Sequence, residues 1–308
     1  MQLFYSDTFV LPLPDGHRFP MDKYSRLRQR LMDTGLFRLS DFRVPDAATD
    51  SELLLAHTPE YLTALKRGTL DKSIARRIGF PWSPEMVERS RRSVGATIAA
   101  ARHALVSGCG INLAGGTHHA YTDTGGGFCV FNDTVVAARV LQSAHRIDRA
   151  LVVDLDVHQG DGTAAITAED RSIFTFSMHG AKNYPARKQQ SDLDIALPSG
   201  TGDDAYLDAL QSTLPRLVRE IAPDMVFYLA GADPFIEDRY GLLDLSKDGL
   251  RARDDFVFRT CREAEVPVSV AMAGGYAKNI DDIVEIHCAT VLTAAECFRP
   301  RRAAIAVS

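Results

Sequence analysis

Five short runs rich in apolar and β-branched residues, at 111–114, 150–154, 173–177, 225–230 and 268–273, alternate along this chain with longer segments of helical period. That alternation constrains the fold most, because buried parallel strands read as near-continuous apolar runs and need helical crossovers between them. The helical segments fall at 84–106, 132–144, 205–221, 247–264 and 279–297. Ser83 ahead of Pro84 and Glu85 predicts a capped helix start with proline in its first turn. The expected architecture is α/β, a central mostly parallel β-sheet flanked by helices in three layers.

No repeat, low-complexity stretch or Pro/Gly/Ser linker divides the 308 residues, so one domain spanning 1–308 is expected. Residues 1–80 are less regular, with helix-like pieces at 21–32 and 59–67, and are expected to cap one side of the sheet. Residues 298–308 read as a C-terminal tail.

Composition excludes several classes. With 45% hydrophobic and 24% charged residues the chain matches ordinary globular proteins and not disordered or fibrous ones. A net charge of −5, with basic residues dispersed apart from runs such as Arg89-Ser90-Arg91-Arg92, argues against direct nucleic-acid binding. No apolar run approaches the roughly 20 residues of a membrane span, and the start lacks the basic-then-apolar pattern of a secretory signal. The five cysteines, Cys109, Cys129, Cys261, Cys288 and Cys297, are odd in number and form no CxxC pair. A disulfide framework or cysteine zinc site is therefore not expected, and a reducing, cytoplasmic setting is. No segment specifies an oligomeric state.

In open parallel sheets ligands bind outside the carboxyl ends of the strands, so the residues just after each run matter most. There stand Gly115-Gly116-Thr117-His118-His119 and Gly125-Gly126-Gly127-Phe128-Cys129 after the first run, and Asp154-Leu155-Asp156-Val157-His158-Gln159-Gly160-Asp161-Gly162 after the second. Asp233 follows the fourth and Gly274-Gly275-Tyr276 the fifth. Each has a plain structural reading: the aspartates cap helices, the glycines shape turns, and Tyr276 is a core residue with a satisfied hydroxyl. Four strand ends delivering titratable groups to one edge is more than loop chemistry requires. Asp156 and His158, two apart in chain leaving a strand, would point to one side if extended. With Asp233 they would make two carboxylates and an imidazole, leaving a position open for water as catalytic zinc requires. Taken alone, Asp233 reads as a helix cap or ion-pair partner.

Over 115–276 these motifs, in this order, resemble the zinc-dependent histone deacetylase superfamily, whose fold is shared with arginase; Phe19-Pro20-Met21-Asp22-Lys23-Tyr24 resembles it more weakly. Gly241-Leu242-Leu243-Asp244-Leu245-Ser246, Arg253-Asp254-Asp255-Phe256-Val257-Phe258-Arg259 and Gln159 look most like the class IV branch. The resemblance implies a single-domain arginase/deacetylase-like fold and one zinc ion on Asp156, His158 and Asp233. It makes His118 and His119 a catalytic pair, with His119 the general base oriented by Asp161 and His118 held by Asp154. Tyr276 would donate to the developing oxyanion, worth about 3 kcal/mol. An acyl-lysine channel is implied, with Gly127, Phe128, Tyr184 and Tyr240 around it, and a structural potassium ion near Asp154, Asp156, His158 and Ser177.

The substrate implied is an acylated lysine in protein or peptide, of acyl length left open by the loops around Gly127, Tyr184 and Tyr240. An acylated polyamine is the alternative, for which Glu237 and Asp238 would be acidic groups at the mouth; acetoin-utilisation-type proteins share the same set. A two-metal ureohydrolase needs carboxylates where Gly160 and Phe235 stand, so one metal is expected. A non-catalytic binder of acyl-lysine should have lost a ligand, the base or the tyrosine, and none is lost.

Overall fold

In the computed structural model, which describes residues 1–298, eight strands form one sheet. They are β1 (Gln2–Phe4), β2 (Phe42–Arg43), β3 (Cys109–Asn112), β4 (Ala150–Asp154), β5 (Ile173–Gly180), β6 (Leu193–Leu197), β7 (Met225–Leu229) and β8 (Val268–Ala271). Their order is β2-β1-β3-β8-β7-β4-β5-β6, and every pairing is parallel, where a mostly parallel sheet was expected. Among the described residues nine α-helices lie between them and a tenth follows β8: α1 (Lys23–Asp33), α2 (Asp50–Leu53), α3 (Pro59–Arg67), α4 (Lys72–Ile78), α5 (Pro84–Ser107), α6 (Asp133–Ser143), α7 (Asp161–Thr167), α8 (Asp203–Ile221), α9 (Lys247–Glu263) and α10 (Ile280–Phe298).

The period of two along the strands divides the core into two layers. Leu151 and Val153 of β4 and Val226 and Tyr228 of β7 pack with Leu27 and Leu31 of α1, Leu214 of α8, Val257 of α9 and Val291 of α10. Val152 of β4 and Met225 and Phe227 of β7 face the other way, onto Ile98 and Ala101 of α5 and Val136 and Leu141 of α6. Strands β4 and β7 are buried at every residue, which is why they read as unbroken apolar runs. Helix α5 starts as its sequence predicts, Ser83 Oγ accepting from the Met86 amide at 3.1 Å with Pro84 behind it.

The N-terminal segment departs from expectation. It is no mere cap, because β1 and β2 extend the sheet beyond β3, with Leu3 opposite Ile111. The first expected strand, 111–114, begins two residues early at Cys109; Leu113 and Ala114 leave the ladder, although the Leu113 amide still reaches Phe4 O at 2.8 Å. Of the expected tail, Phe298 closes α10, and 299–308 lie outside the described residues. Among the described residues no helix is long and apolar enough to cross a membrane.

Candidate active site

The strands whose carboxyl ends carry the polar motifs, β3, β8, β7 and β4, are consecutive in the sheet. Neighbouring strands lie about 4.8 Å apart, so the segments that follow them converge without further help from the chain. Between β3 and α6 run His118 and His119; after β4 come Asp156 and His158; after β7, Asp233; after β8, Gly274 and Tyr276.

Asp156, His158 and Asp233 are buried, and one ligand atom from each lies within 4.8 Å of the others, the one such grouping among the described residues. Extended chain is not what joins the first two. Residues 156–158 bend, and the His158 amide donates to Asp156 Oδ1 at 2.9 Å. His158 Nδ1 stands 3.0 Å from Asp156 Oδ1 and 3.3 Å from Asp233 Oδ2. Asp233 does not cap a helix: its Oδ1 accepts from the Val157 amide at 2.9 Å, whereas its buried Oδ2 has no hydrogen bond of good geometry. Asp156 Oδ2 accepts from the Gly274 amide at 2.8 Å. Burial would raise Asp156, but the His118 and His158 rings hold it well below the usual carboxylate range. Burial and then the Asp156 charge push Asp233 up. Two carboxylates packed against one imidazole, one oxygen lacking a donor, form a donor set that fits a divalent cation.

Two His–Asp pairs stand beside this cluster. His118 Nδ1 is 2.7 Å from Asp154 Oδ2, and His119 Nδ1 is 2.6 Å from Asp161 Oδ1. The two rings lie 4.1 Å apart between centroids. Their chemistry is split by their surroundings. Burial disfavours charge on both, but the Asp154 and Asp156 carboxylates outweigh it at His118 and raise it to about 9. At His119 burial and the neighbouring His118 charge prevail over Asp161, lowering it to about 4. His119 is therefore neutral near pH 7. With Nδ1–H donated to Asp161, its Nε2 carries a free lone pair.

Tyr276, partly buried, has its ring 6.0 Å from that of Phe128 and 5.3 Å from that of Tyr240. Burial pushes its hydroxyl well above the ordinary tyrosine range, so it stays a donor. Phe128 packs against Phe19 at 5.2 Å, and Tyr184 meets His119 edge-on at 4.8 Å. Gly127, Phe128, Tyr184 and Tyr240 line one cavity of about 630 Å³ together with both histidines, the Asp–His–Asp cluster and Tyr276. Asp154, Asp161 and Ser177 do not line it; Asp154 and Asp161 stand behind the two histidines that do. Ser177 lies opposite Asp154 across the β4–β5 ladder, its Oγ 3.0 Å from His179 Nδ1.

Several neighbours were not legible in the sequence. Asp133, at the start of α6, accepts from the Gly116 and Thr117 amides and so fixes the loop that carries the histidine pair. The Tyr121 hydroxyl donates to Asp161 Oδ2 at 2.9 Å. Asp238, expected at the mouth, is buried instead and accepts from the amides of Tyr276 (2.6 Å), Tyr240 (2.8 Å) and Gly241 (3.0 Å). Glu237 faces Lys278 at 3.8 Å. The acidic mouth is thus corrected: neither carboxylate lines the cavity, Asp238 being committed to backbone and Glu237 standing outside it. Gln159 bonds Gln189 O and Asp194 at 2.8 Å, away from the cluster. Gly160, where a second metal would need a carboxylate, has no room for one, since a Cβ there would stand 2.4 Å from Asp154 Oδ2.

Comparison with known proteins gives this geometry its family. The model of the histone deacetylase domain matches residues 17–291. An uncharacterised protein of Picosynechococcus sp. is 46% identical over 283 residues, covering 92% of this chain and 94% of its own. Histone deacetylase 2 of Arabidopsis thaliana is 32% identical over 291 residues, covering 91% and 75%. The crystal structure of an HDAC homolog complexed with SAHA superposes with a TM-score of 0.80 at 23% identity, over 97% of this chain and 88% of that one, a likeness of fold. The chain belongs to the histone deacetylase domain family, and deacetylase-type amide hydrolysis is the chemistry that membership supports.

Proposed function

We propose that the protein is a zinc-dependent hydrolase of N-acyl-lysine amides, nearest the class IV branch of its family. The observation that carries this reading is the junction, in one cavity, of the Asp156–His158–Asp233 cluster with two His–Asp pairs and Tyr276. Asp156, His158 and Asp233 would hold the zinc, which when bound would polarise the scissile carbonyl and acidify the attacking water. His119 takes the water proton at Nε2 and returns it to the lysine amine as the C–N bond breaks, Asp161 keeping the ring in that tautomer. His118, oriented by Asp154, places positive charge near the oxygen that becomes negative. Tyr276 donates its hydroxyl to that oxygen. A structural potassium ion at Asp154, Asp156, His158 and Ser177 belongs to the same reading.

Lysine in a protein or peptide is favoured over a free polyamine, because Asp238 is held by backbone amides and, among the described residues, the carboxylates lining the cavity are Asp156 and Asp233, both buried, which leaves no acidic group at its mouth for a second amine. A cavity of about 630 Å³ has space for acyl groups longer than acetyl. Five buried free thiols fit a reducing compartment, and we place the protein in the cytoplasm. The test is a side-by-side assay of zinc-loaded protein on acetyl-, octanoyl- and myristoyl-lysine peptides and on acetylputrescine. Turnover of lysine peptides above the diamine is expected; turnover of none of the four refutes the hydrolase.

A further inference from the structure

The exposed part of the cavity lining carries four cations without ion-pair partners among the described residues, in a chain whose net charge is −5. Arg18, Arg77, Lys182 and Arg239 all line the cavity and are all exposed. They come from four separate segments, each attached to the aromatic wall. Arg18 precedes Phe19, whose ring meets Phe128 at 5.2 Å. Arg77 accepts the Gly127 amide at its carbonyl and lays its guanidinium 4.9 Å from the Tyr121 ring. Lys182 stands two residues before Tyr184, and Arg239 adjoins Tyr240.

Among the described residues, no exposed carboxylate lines the cavity beside these cations. The cavity lining contains two, Asp156 and Asp233, both buried in its floor. Asp238 beside Arg239 is turned inward to three backbone amides, and Glu237 faces Lys278. Among the described residues none of the four rim cations makes an ion pair; Arg239 reaches only the Lys278 carbonyl, at 3.2 Å. Like charges around an opening concentrate potential there and raise the encounter rate of oppositely charged partners.

We propose that this enzyme selects acyl-lysines set in acidic polypeptide, with Arg18, Arg77, Lys182 and Arg239 receiving glutamate or aspartate side chains on both sides of the modified lysine. The proposal rests on the hydrolase reading above and adds the class of substrate. Charge at a solvent-exposed rim acts mainly on capture and not on chemistry, so the preference belongs in kcat/KM and weakens with salt. An uncharged acyl-lysine, lacking both acidic flanks and basic ones, falls between the two extremes.

The test uses two peptides of equal length, each with one central acyl-lysine, flanked by glutamates in one and lysines in the other. At about 10 mM salt, where charges act over roughly 30 Å, the acidic peptide is expected to show at least about tenfold higher kcat/KM; at about 1 M, where the range is roughly 3 Å, the two should converge. In the double variant Arg18→Glu/Lys182→Glu the ratio of the two peptides should fall severalfold or invert. A ratio is read within one enzyme preparation, so partial misfolding does not imitate the result. Equal kcat/KM for both peptides at low salt, or a preference untouched by the double variant, overturns the selectivity and leaves the hydrolase standing. Turnover of neither peptide overturns both.

Discussion

A Cβ added to Gly274 would stand 1.9 Å from Asp233 Oδ2 and 2.6 Å from Asp156 Oδ2. The glycine is thus required by space: the backbone after β8 passes so close to the two carboxylates that its amide bonds one of them at 2.8 Å. Gly274→Ala must push the carboxylates apart or the chain away. Overpacking of this kind costs about 1–3 kcal/mol. We expect a lower melting temperature together with loss of bound zinc, checked by thermal denaturation and metal analysis on the same sample; a variant that holds one zinc per chain at wild-type stability contradicts the proposed ligand cluster.

His119 and His118 have opposite proton affinities although their rings lie 4.1 Å apart. His119→Ala removes the neutral ring without touching a proposed ligand. Turnover should drop by about 10²–10⁴-fold while zinc stays near one per chain. Tyr121→Phe, which deletes the hydroxyl on the far oxygen of Asp161, should cost only a severalfold loss, the scale of one hydrogen bond of about 1 kcal/mol. Retained turnover in His119→Ala removes it from the role of base.

What could be read from the sequence followed burial. The run at 150–154 matches β4 because both its faces are covered, and a strand of that kind announces itself by apolar continuity. Strand β6 has one of its five residues buried, and β1 and β2 have three and two residues, too short to show any period. Helix α7 opens on Asp161-Gly162, residues that read as a turn. At the site, residue types and strand ends pointed to the cluster, but the path between Asp156 and His158 is a bend set by a backbone-to-carboxylate bond, where extended chain was expected. Asp238 shows the limit: two carboxylates in a row look like surface charge, and only the fold reveals that one of them holds three amides.

That role of Asp238 gives a further prediction. Its Oδ2 accepts the Tyr276 amide and its Oδ1 those of Tyr240 and Gly241, so it ties together the two segments bearing the tyrosines of the cavity wall. In Asp238→Asn the amide NH₂ would face a backbone N–H, leaving a buried donor unpaired at about 1–3 kcal/mol. Tyr276→Phe removes the proposed oxyanion donor and should lower kcat by about 10²-fold or more with little change in KM. Asp238→Asn should reproduce part of that fall in kcat, because it loosens the same tyrosine. Steady-state kinetics of both variants decide it: an unchanged kcat in Asp238→Asn removes the positioning role.

His57 gives the pH dependence of stability. It is buried, accepting the Asn132 amide at Nε2 and engaging the Tyr121 carbonyl through Nδ1, both at 3.0 Å, a pattern that only the neutral ring satisfies. Burial lowers it from 6.5 to about 4. The folded ring therefore binds its proton less readily than the unfolded one, and between these values unfolding takes up a proton. The contribution is complete above pH 6.5, falls as pH drops from 6.5 toward 4, and changes no further below 4. At 1.36 kcal/mol per unit it amounts to about 3 kcal/mol. Urea denaturation at pH 7.5, 6 and 5 should show wild type losing stability faster on acidification than His57→Gln, whose side chain offers a carbonyl and an amide but no titration. Parallel stability curves for the two proteins would remove His57 as a source of acid sensitivity.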